Sequence, residues 1–175
     1  MIHVVLFQPE ISPNTGNIIR SCFATKVKLH IIKPIAFDLD PKYLKRPAAG
    51  KLLSDIEHEI HANYDDFVEK YGNKNIFYIS RYGQKTFSNV DFNKEIEQID
   101  EDIFIMFGRE STGIPKKILQ ANLEKCLRIP MFAQARSLNL ANSVIIVVYE
   151  ILRQLGYPDL SVYEVQKGKD YLERN

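Results

Sequence analysis

Short, almost unbroken apolar runs alternate along this chain with segments whose apolar residues recur every three or four positions. "IHVVLF" (Ile2 to Phe7), "LHIIKP" from Leu29, "NIFYIS" from Asn75 and "DIFIMF" ending at Phe107 are brief and rich in β-branched or aromatic residues, which predicts buried strands. A fifth and shorter run, "CLRIP" from Cys126, is closed by Pro130. "DIEHEIHA" from Asp55 alternates Ile56, His58, Ile60 and Ala62 against Glu57, Glu59 and His61, which suits a half-exposed edge strand. Helical patterns lie between the runs. "NTGNIIRSCFATK" sets Ile18, Ile19, Cys22 and Phe23 on one stripe, and "YDDFVEKYG" and "PKKILQANL" read as shorter helices, the second with Pro115 at its first position. The last helix aligns Leu140, Val144, Val147, Val148, Ile151 and Leu155, while Ile145 and Ile146 widen the apolar surface. A helix apolar over so much of its circumference is buried deeply or packs against another subunit.

Strands alternating with helices, each strand a continuous apolar run, predict an α/β fold: a mostly parallel sheet with helices on both faces. The 175 residues, 45% of them hydrophobic, suffice for one domain with a core, placed at residues 1–157, with a C-terminal tail at 158–175 to which no role is assigned. Ligands of such sheets bind at the carboxyl ends of the strands. That directs attention to the segments after Phe7, Ser80, Phe107 and Pro130.

Charge changes the picture only locally. The net charge is +1, so no global field draws the chain onto nucleic acid. Lys42, Lys45, Arg46 and Lys51 nevertheless lie in a stretch without acids, as do Lys125, Arg128 and Arg136, whereas acids gather between Asp91 and Asp102. This segregation suits a positive face, with ordinary solvated surface charge as the plainer alternative. Cys22 and Cys126 lack paired spacing and read as reduced thiols of a cytosolic protein. The N-terminus lacks a basic segment before its apolar run, and the longest apolar run, Val144 to Tyr149, is too short to span a bilayer, so the expectation is a cytoplasmic chain with no membrane partner.

Three loops carry unusual chemistry. In "QPEISPNTGNIIR", Pro13 and Asn14 can start a helix, Gly16 allows close backbone approach, and Arg20 follows near the same end; a plain capped helix is the competing reading. In "GRESTGIP", Gly108 and Gly113 bracket Glu110, Ser111 and Thr112. The loop lacks the P-loop ending, and a tight structural turn is the simpler account. The entrance to the last helix holds Gln134, Arg136, Ser137, Asn139, Asn142 and Ser143, more polar groups than its orphan amides require, as though a polar ligand sits there. "HEIH" does not read as a metal site, since in a strand His58 and His61 point to opposite faces. With neither metal nor nucleophile signature, a cofactor that brings its own reactive group is favoured.

In order, "NTGNIIR", "IMFGRESTGIP" and "RIPMFAQARSLNLANSV" resemble the three motifs of SPOUT-class RNA methyltransferases. With "VVLFQPEISPNTGNIIR" and "LHIIKP" the likeness sharpens to the TrmL (YibK-like) branch, over about Ile2 to Tyr157. The resemblance implies an α/β trefoil knot, a homodimer and, without any metal, S-adenosylmethionine-dependent methylation of the ribose 2′-hydroxyl of the tRNA wobble nucleotide, cytidine or uridine 34. It sets the cofactor against Ile79, Gly108, Ile129 and Ser137, with backbone from Met131 and Leu138. Asn14 and Arg20 then face the ribose beside Glu110 and Asn139, while Lys42, Lys45, Arg46 and Arg136 contact RNA. Guanidinium stays protonated, so Arg20 reads as a clamp on a ribose or phosphate oxygen rather than a base. Tyr149 is a further candidate at the site, with a core role the plainer one. The chain departs from its relatives at "KRPAAGKLLSDIEHE", where many carry an "AGLDYW"-like stretch. Alternative functions are a non-catalytic RNA-binding module, a 2′-O-methyltransferase for another RNA site, and a nucleotide-dependent oxidoreductase, the last disfavoured by the missing G-x-G-x-x-G.

Overall fold

The structure, a computed structural model, describes every residue except 45, 100, 101 and 175. Seven strands form one sheet: β1 (Ile2–Phe7), β2 (Lys28–Ile32), β3 (His58–His61), β4 (Asn75–Ile79), β5 (Lys85–Thr86), β6 (Ile103–Phe107) and β7 (Cys126–Arg128). Their order is β3-β2-β1-β6-β4-β7-β5, and every pairing is parallel. The predicted α/β class is therefore observed. Among the described residues six α-helices pack around the sheet: α1 (Ser12–Thr25), α2 (Pro41–Leu44), α3 (Tyr64–Tyr71), α4 (Phe92–Ile99), α5 (Lys116–Ala121) and α6 (Leu140–Gln154).

Two cores follow from the strand period of two. Val4, Leu6, Leu29, Ile31, Ile103, Ile105 and Phe107 face α1 and α6. Val5, Phe7, Phe104 and Met106 face the other way, toward Phe67 of α3 and Leu119 of α5. Four side chains of α6 (Val144, Val147, Val148 and Ile151) are buried in the first core, each worth about 1.5–3 kcal/mol of transfer free energy. Local chemistry fixes the helix ends. Pro13 sits in the first turn of α1, Lys26 closes it in the left-handed conformation, and the Asn63 side chain accepts the Asp66 amide at the start of α3.

Several expectations are corrected in detail. Phe23 leaves the buried stripe of α1 and lies exposed, with Lys51 Nζ 3.5 Å above its ring. Pro115 precedes α5 by one residue. β3 does occupy a sheet edge, but its inward side is the polar one: Ile60 is 40% exposed and His61 only 2%. Gly16 serves the chain's own packing, because a Cβ there would come 2.5 Å from Pro47 Cγ and 3.0 Å from the Leu44 carbonyl oxygen. The atypical segment after α2 thus lies directly against the start of α1.

Candidate active site

At the carboxyl edge of β4, β6 and β7, three loops and the start of α1 enclose a cavity of about 650 Å³, within the usual range for small-molecule sites. Each loop has a physical reason for its path. After β1 the chain turns at Gln8, a non-glycine residue at φ 51°. Three contacts hold it there: its amide to the Ile32 carbonyl at 3.0 Å, its side-chain amide to the Lys33 carbonyl at 3.1 Å, and the Arg109 guanidinium on its Oε1. After β6, Arg109 and Gly113 bond each other's backbone at 3.2 and 2.9 Å, closing "GRESTG" into a tight turn. Gly113 has φ +72°, and a Cβ on Gly108 would overlap the backbone of Gly113 and Ile114. The glycines therefore build the turn itself.

A polar relay crosses the site between segments more than 90 residues apart. Asn139 caps α6, its Oδ1 accepting the amides of Ala141 at 2.9 Å and Asn142 at 3.3 Å. Its Nδ2 donates to Asn14 Oδ1 at 2.8 Å, and Asn14 Nδ2 donates to Glu110 Oε1 at 3.0 Å. Glu110 also accepts the amides of Glu10 at 2.8 Å and Ile11 at 3.2 Å, just before α1. Glu10 answers from the other side, accepting the Ser111 amide and hydroxyl, both at 2.8 Å. Those two donors hold the Glu10 carboxyl below the usual range. The exchange between Glu10 and the 110–111 turn locks the first and second loops together.

The structure brings Asn14, Ile79, Gly108, Glu110, Ile129, Met131, Arg136, Ser137, Leu138 and Asn139 around this one cavity. Its walls alternate apolar patches (Ile79, Ile129, Leu138) with polar groups, a fit for a ligand having both a flat apolar part and charged ends. Arg20, Lys42 and Arg46 do not line it. Arg20 is exposed on α1, about 9 Å along the axis from Asn14, and makes no ion pair among the described residues. Lys45 lies outside the described residues. Tyr149 is exposed on α6 and does not reach the cavity, so neither a core position nor a place in the cavity wall describes it.

Sequence reasoning pointed to the segments after Phe7 and Ser80 but gave no role to Gln8 and Glu10 in the first, or to Arg81 and Tyr82 in the second, the latter two lining the cavity. Glu10 carried a readable signal, as a carboxylate between a strand end and a helix start. It missed also a polar group on the far side of the sheet. One ligand atom each from His30, Glu59 and His61 lies within 4.8 Å of the others. These do not fit a metal ion: His30 Nδ1 and His61 Nε2 point at one another at 3.0 Å, and Glu59 already holds Lys70, the Tyr71 hydroxyl and Lys28.

Comparison with known proteins gives the family of the chain. The model of the SpoU rRNA Methylase family matches residues 1–149. A tRNA (cytidine(34)-2′-O)-methyltransferase of Escherichia coli strain K12 is 42% identical over 164 residues, covering 90% of this chain and 96% of its own. A solved structure described as giving insight into 2-OH methylation of C/U34 on tRNA superposes with a TM-score of 0.79 at 34% identity, covering 89% of this chain and 91% of that one. The Streptomyces viridochromogenes SpoU methyltransferase AviRb, in complex with AdoMet, superposes at 0.69 with 25% identity, over 87% of this chain and 60% of that one.

Proposed function

The chain belongs to the SpoU rRNA methylase family, and from that premise we propose that it methylates the ribose 2′-hydroxyl of the tRNA wobble nucleotide, cytidine or uridine 34, using S-adenosylmethionine. The observation that carries this reading is the Asn139–Asn14–Glu110 relay set across a ligand-sized cavity at the sheet's carboxyl edge. When bound, S-adenosylmethionine supplies a methyl group already activated by the sulfonium charge. In the proposed arrangement Ile79, Ile129 and Leu138 cover the apolar part of the donor, while Gly108, Met131 and Ser137 border its polar ends.

What remains for the protein is positioning, worth up to roughly 7–11 kcal/mol in favourable cases. Both ends of the Asn14 amide are engaged, so its orientation is fixed. Glu110 already accepts three donors of the ~four an ionised carboxylate can take, which makes it a brace rather than a proton acceptor. Arg20 steadies the ribose oxygen or an adjoining phosphate as charge develops. The hydroxyl proton leaves to water or to a phosphate oxygen. Arg136 at the cavity rim and the basic Lys42 and Arg46, with Lys45 between them, hold the RNA backbone.

We propose further that two copies associate through α6, whose outward stripe includes exposed Ile146 and Tyr149, and that the segment after β6 is knotted as in SPOUT proteins. A cytoplasmic location fits the reading; no described helix is long and apolar enough to cross a membrane. The test is methyl transfer from labelled S-adenosylmethionine to unmodified tRNA, with the product mapped by nucleotide. Methyl at the 2′-oxygen of residue 34 supports the proposal. Methyl elsewhere, or tRNA binding without transfer, overturns it.

A further inference from the structure

Three of the four histidines lie in one row on the sheet face away from α1 and α6. His3 of β1, His30 of β2 and His61 of β3 are all buried. His3 Nδ1 is 2.8 Å from His30 Nε2, and His30 Nδ1 is 3.0 Å from His61 Nε2. A carboxylate stands at each end: Asp102 Oδ1 is 3.6 Å from His3 Nε2, and Asp66 Oδ2 is 3.7 Å from His61 Nδ1. Their side chains are 37% and 51% exposed, so the buried row joins two wet ends.

Counting protons shows why the row is unusual. A neutral imidazole carries one donor and one acceptor. Each ring–ring contact consumes one proton, which leaves a single proton for the two ends of a neutral row. If it sits on His3 Nε2, toward Asp102, then His61 Nδ1 turns a lone pair toward Asp66; the opposite polarity merely exchanges the ends. Every neutral arrangement therefore sets one lone pair against a carboxylate. His3 Nε2 is in fact a buried nitrogen without a hydrogen-bond partner. One added proton satisfies both ends together. A second would make two facing nitrogens both donors and place two cations in one row whose neighbouring ring centroids are 5.1 and 5.3 Å apart.

We propose that the His3–His30–His61 row is a binding site for one proton, taken from bulk water at either carboxylate end and shared by the three rings as a single imidazolium. Asp102, Asp66 and Glu59 favour the added charge, while Lys28 and the Met1 ammonium, 2.7 Å from Asp102, oppose it. From α3, Lys70 and Tyr71 bond Glu59 and temper its effect. Burial pushes His3 down to about 4 against the pull of Asp102, so the site is empty near neutrality and fills in acid.

The test follows the ring nitrogens of the full chain by ¹⁵N–¹H correlation between about pH 7 and about pH 2.5, with proton uptake measured by potentiometry. His58, exposed on the other face of β3, gives an independent signal. The expected result is one shared midpoint for the three buried rings and one proton bound among them. Asp66→Asn keeps an acceptor for the Ala62 amide and should move that midpoint about one pH unit lower, the effect of losing a unit charge ~4 Å away. His30→Gln, which cannot relay a proton, should split the row into two His–Asp pairs that bind two. Separate midpoints totalling more than one proton, a row that stays neutral until the chain unfolds, or an unmoved midpoint in Asp66→Asn overturns the proposal. None of these readouts involves methyl transfer, so their failure leaves the proposed function untouched.

Discussion

Replacing Asn139 separates two tasks that one side chain performs. Asn139→Ala removes the cap on the Ala141 and Asn142 amides, a loss of typically ~1 kcal/mol. It also leaves the buried Asn14 Oδ1 without its donor, which costs about 1–3 kcal/mol. Together these predict a destabilisation of about 2–4 kcal/mol, or roughly 4–16 °C in Tm for a chain of this size. Asn139→Asp keeps an oxygen for the cap but has no proton for Asn14. Whichever way the Asn14 amide then turns, its oxygen faces a carboxylate, either residue 139 or Glu110. That variant should therefore lose only the second contribution in stability, while methyl transfer falls as far as in the alanine variant. Urea unfolding and kcat/KM on tRNA measure the two quantities separately. If Asn139→Ala unfolds within about 0.5 kcal/mol of the native chain, or if Asp proves as destabilising as Ala, the relay is not what joins α6 to α1.

Arg20→Ala should leave S-adenosylmethionine affinity unchanged by calorimetry and lower kcat by about 10²–10³, the range for losing one donor to a developing oxyanion; near-native turnover would remove Arg20 from the reaction. Gly16→Ala should destabilise by about 1–3 kcal/mol through overlap with Pro47, and Pro47→Ala in the same chain should restore part of this, both read by urea unfolding. Acid should weaken the fold in two separable windows. His3 is lowered from 6.5 to about 4, so the unfolded chain binds more protons between these values and stability present above about 6.5 is lost as pH falls toward 4. Glu59 would be raised by burial, but the bonds from Lys70 and Tyr71 outweigh it and bring it down to about 2, so its contribution is lost from 4.5 downward. Tm measured across pH should show the upper step vanish when the histidine row is disrupted and the lower step persist.

The strands were legible because both faces of a covered parallel sheet are apolar, so each one appears as an unbroken run. Their order was not: β6 sits between β1 and β4, and sequence periodicity carries no information about which strand pairs with which. α4 escaped notice because it lies in an acidic segment, where Phe92 and Ile96 are the inward anchors among the described residues. Its start is fixed from afar, by Gln154 accepting the Phe92 amide at 2.9 Å. β5, two residues long, has no pattern to read. The inward polar side of β3 was hidden for a related reason. A histidine in a strand looks like an exposed residue until its partners, His3 and His30, are known to lie in the same row.

The site was legible where chemistry concentrates in one segment and opaque where it is assembled across the chain. Six polar residues open the last helix, yet Asn139 alone supplies the cap, and Ser143 turns its hydroxyl back onto the Asn139 carbonyl at 3.1 Å. Arg136 and Ser137 remain at the cavity wall with no internal bond that explains them among the described residues. Capping thus accounts for part of the polarity and leaves the part that faces the cavity. Glu10, by contrast, is legible in sequence only as a carboxylate between a strand end and a helix start, and nothing in that position points to its partner Ser111, 101 positions away. Because all strands run parallel, their carboxyl ends deliver these distant segments to a single rim, and a ligand bound there must contact the beginning, the middle and the end of the chain together. Binding energy at that rim is therefore also folding energy: a saturating donor at 100 times its Kd should stabilise the chain by about 2.7 kcal/mol, provided the unfolded chain does not bind it.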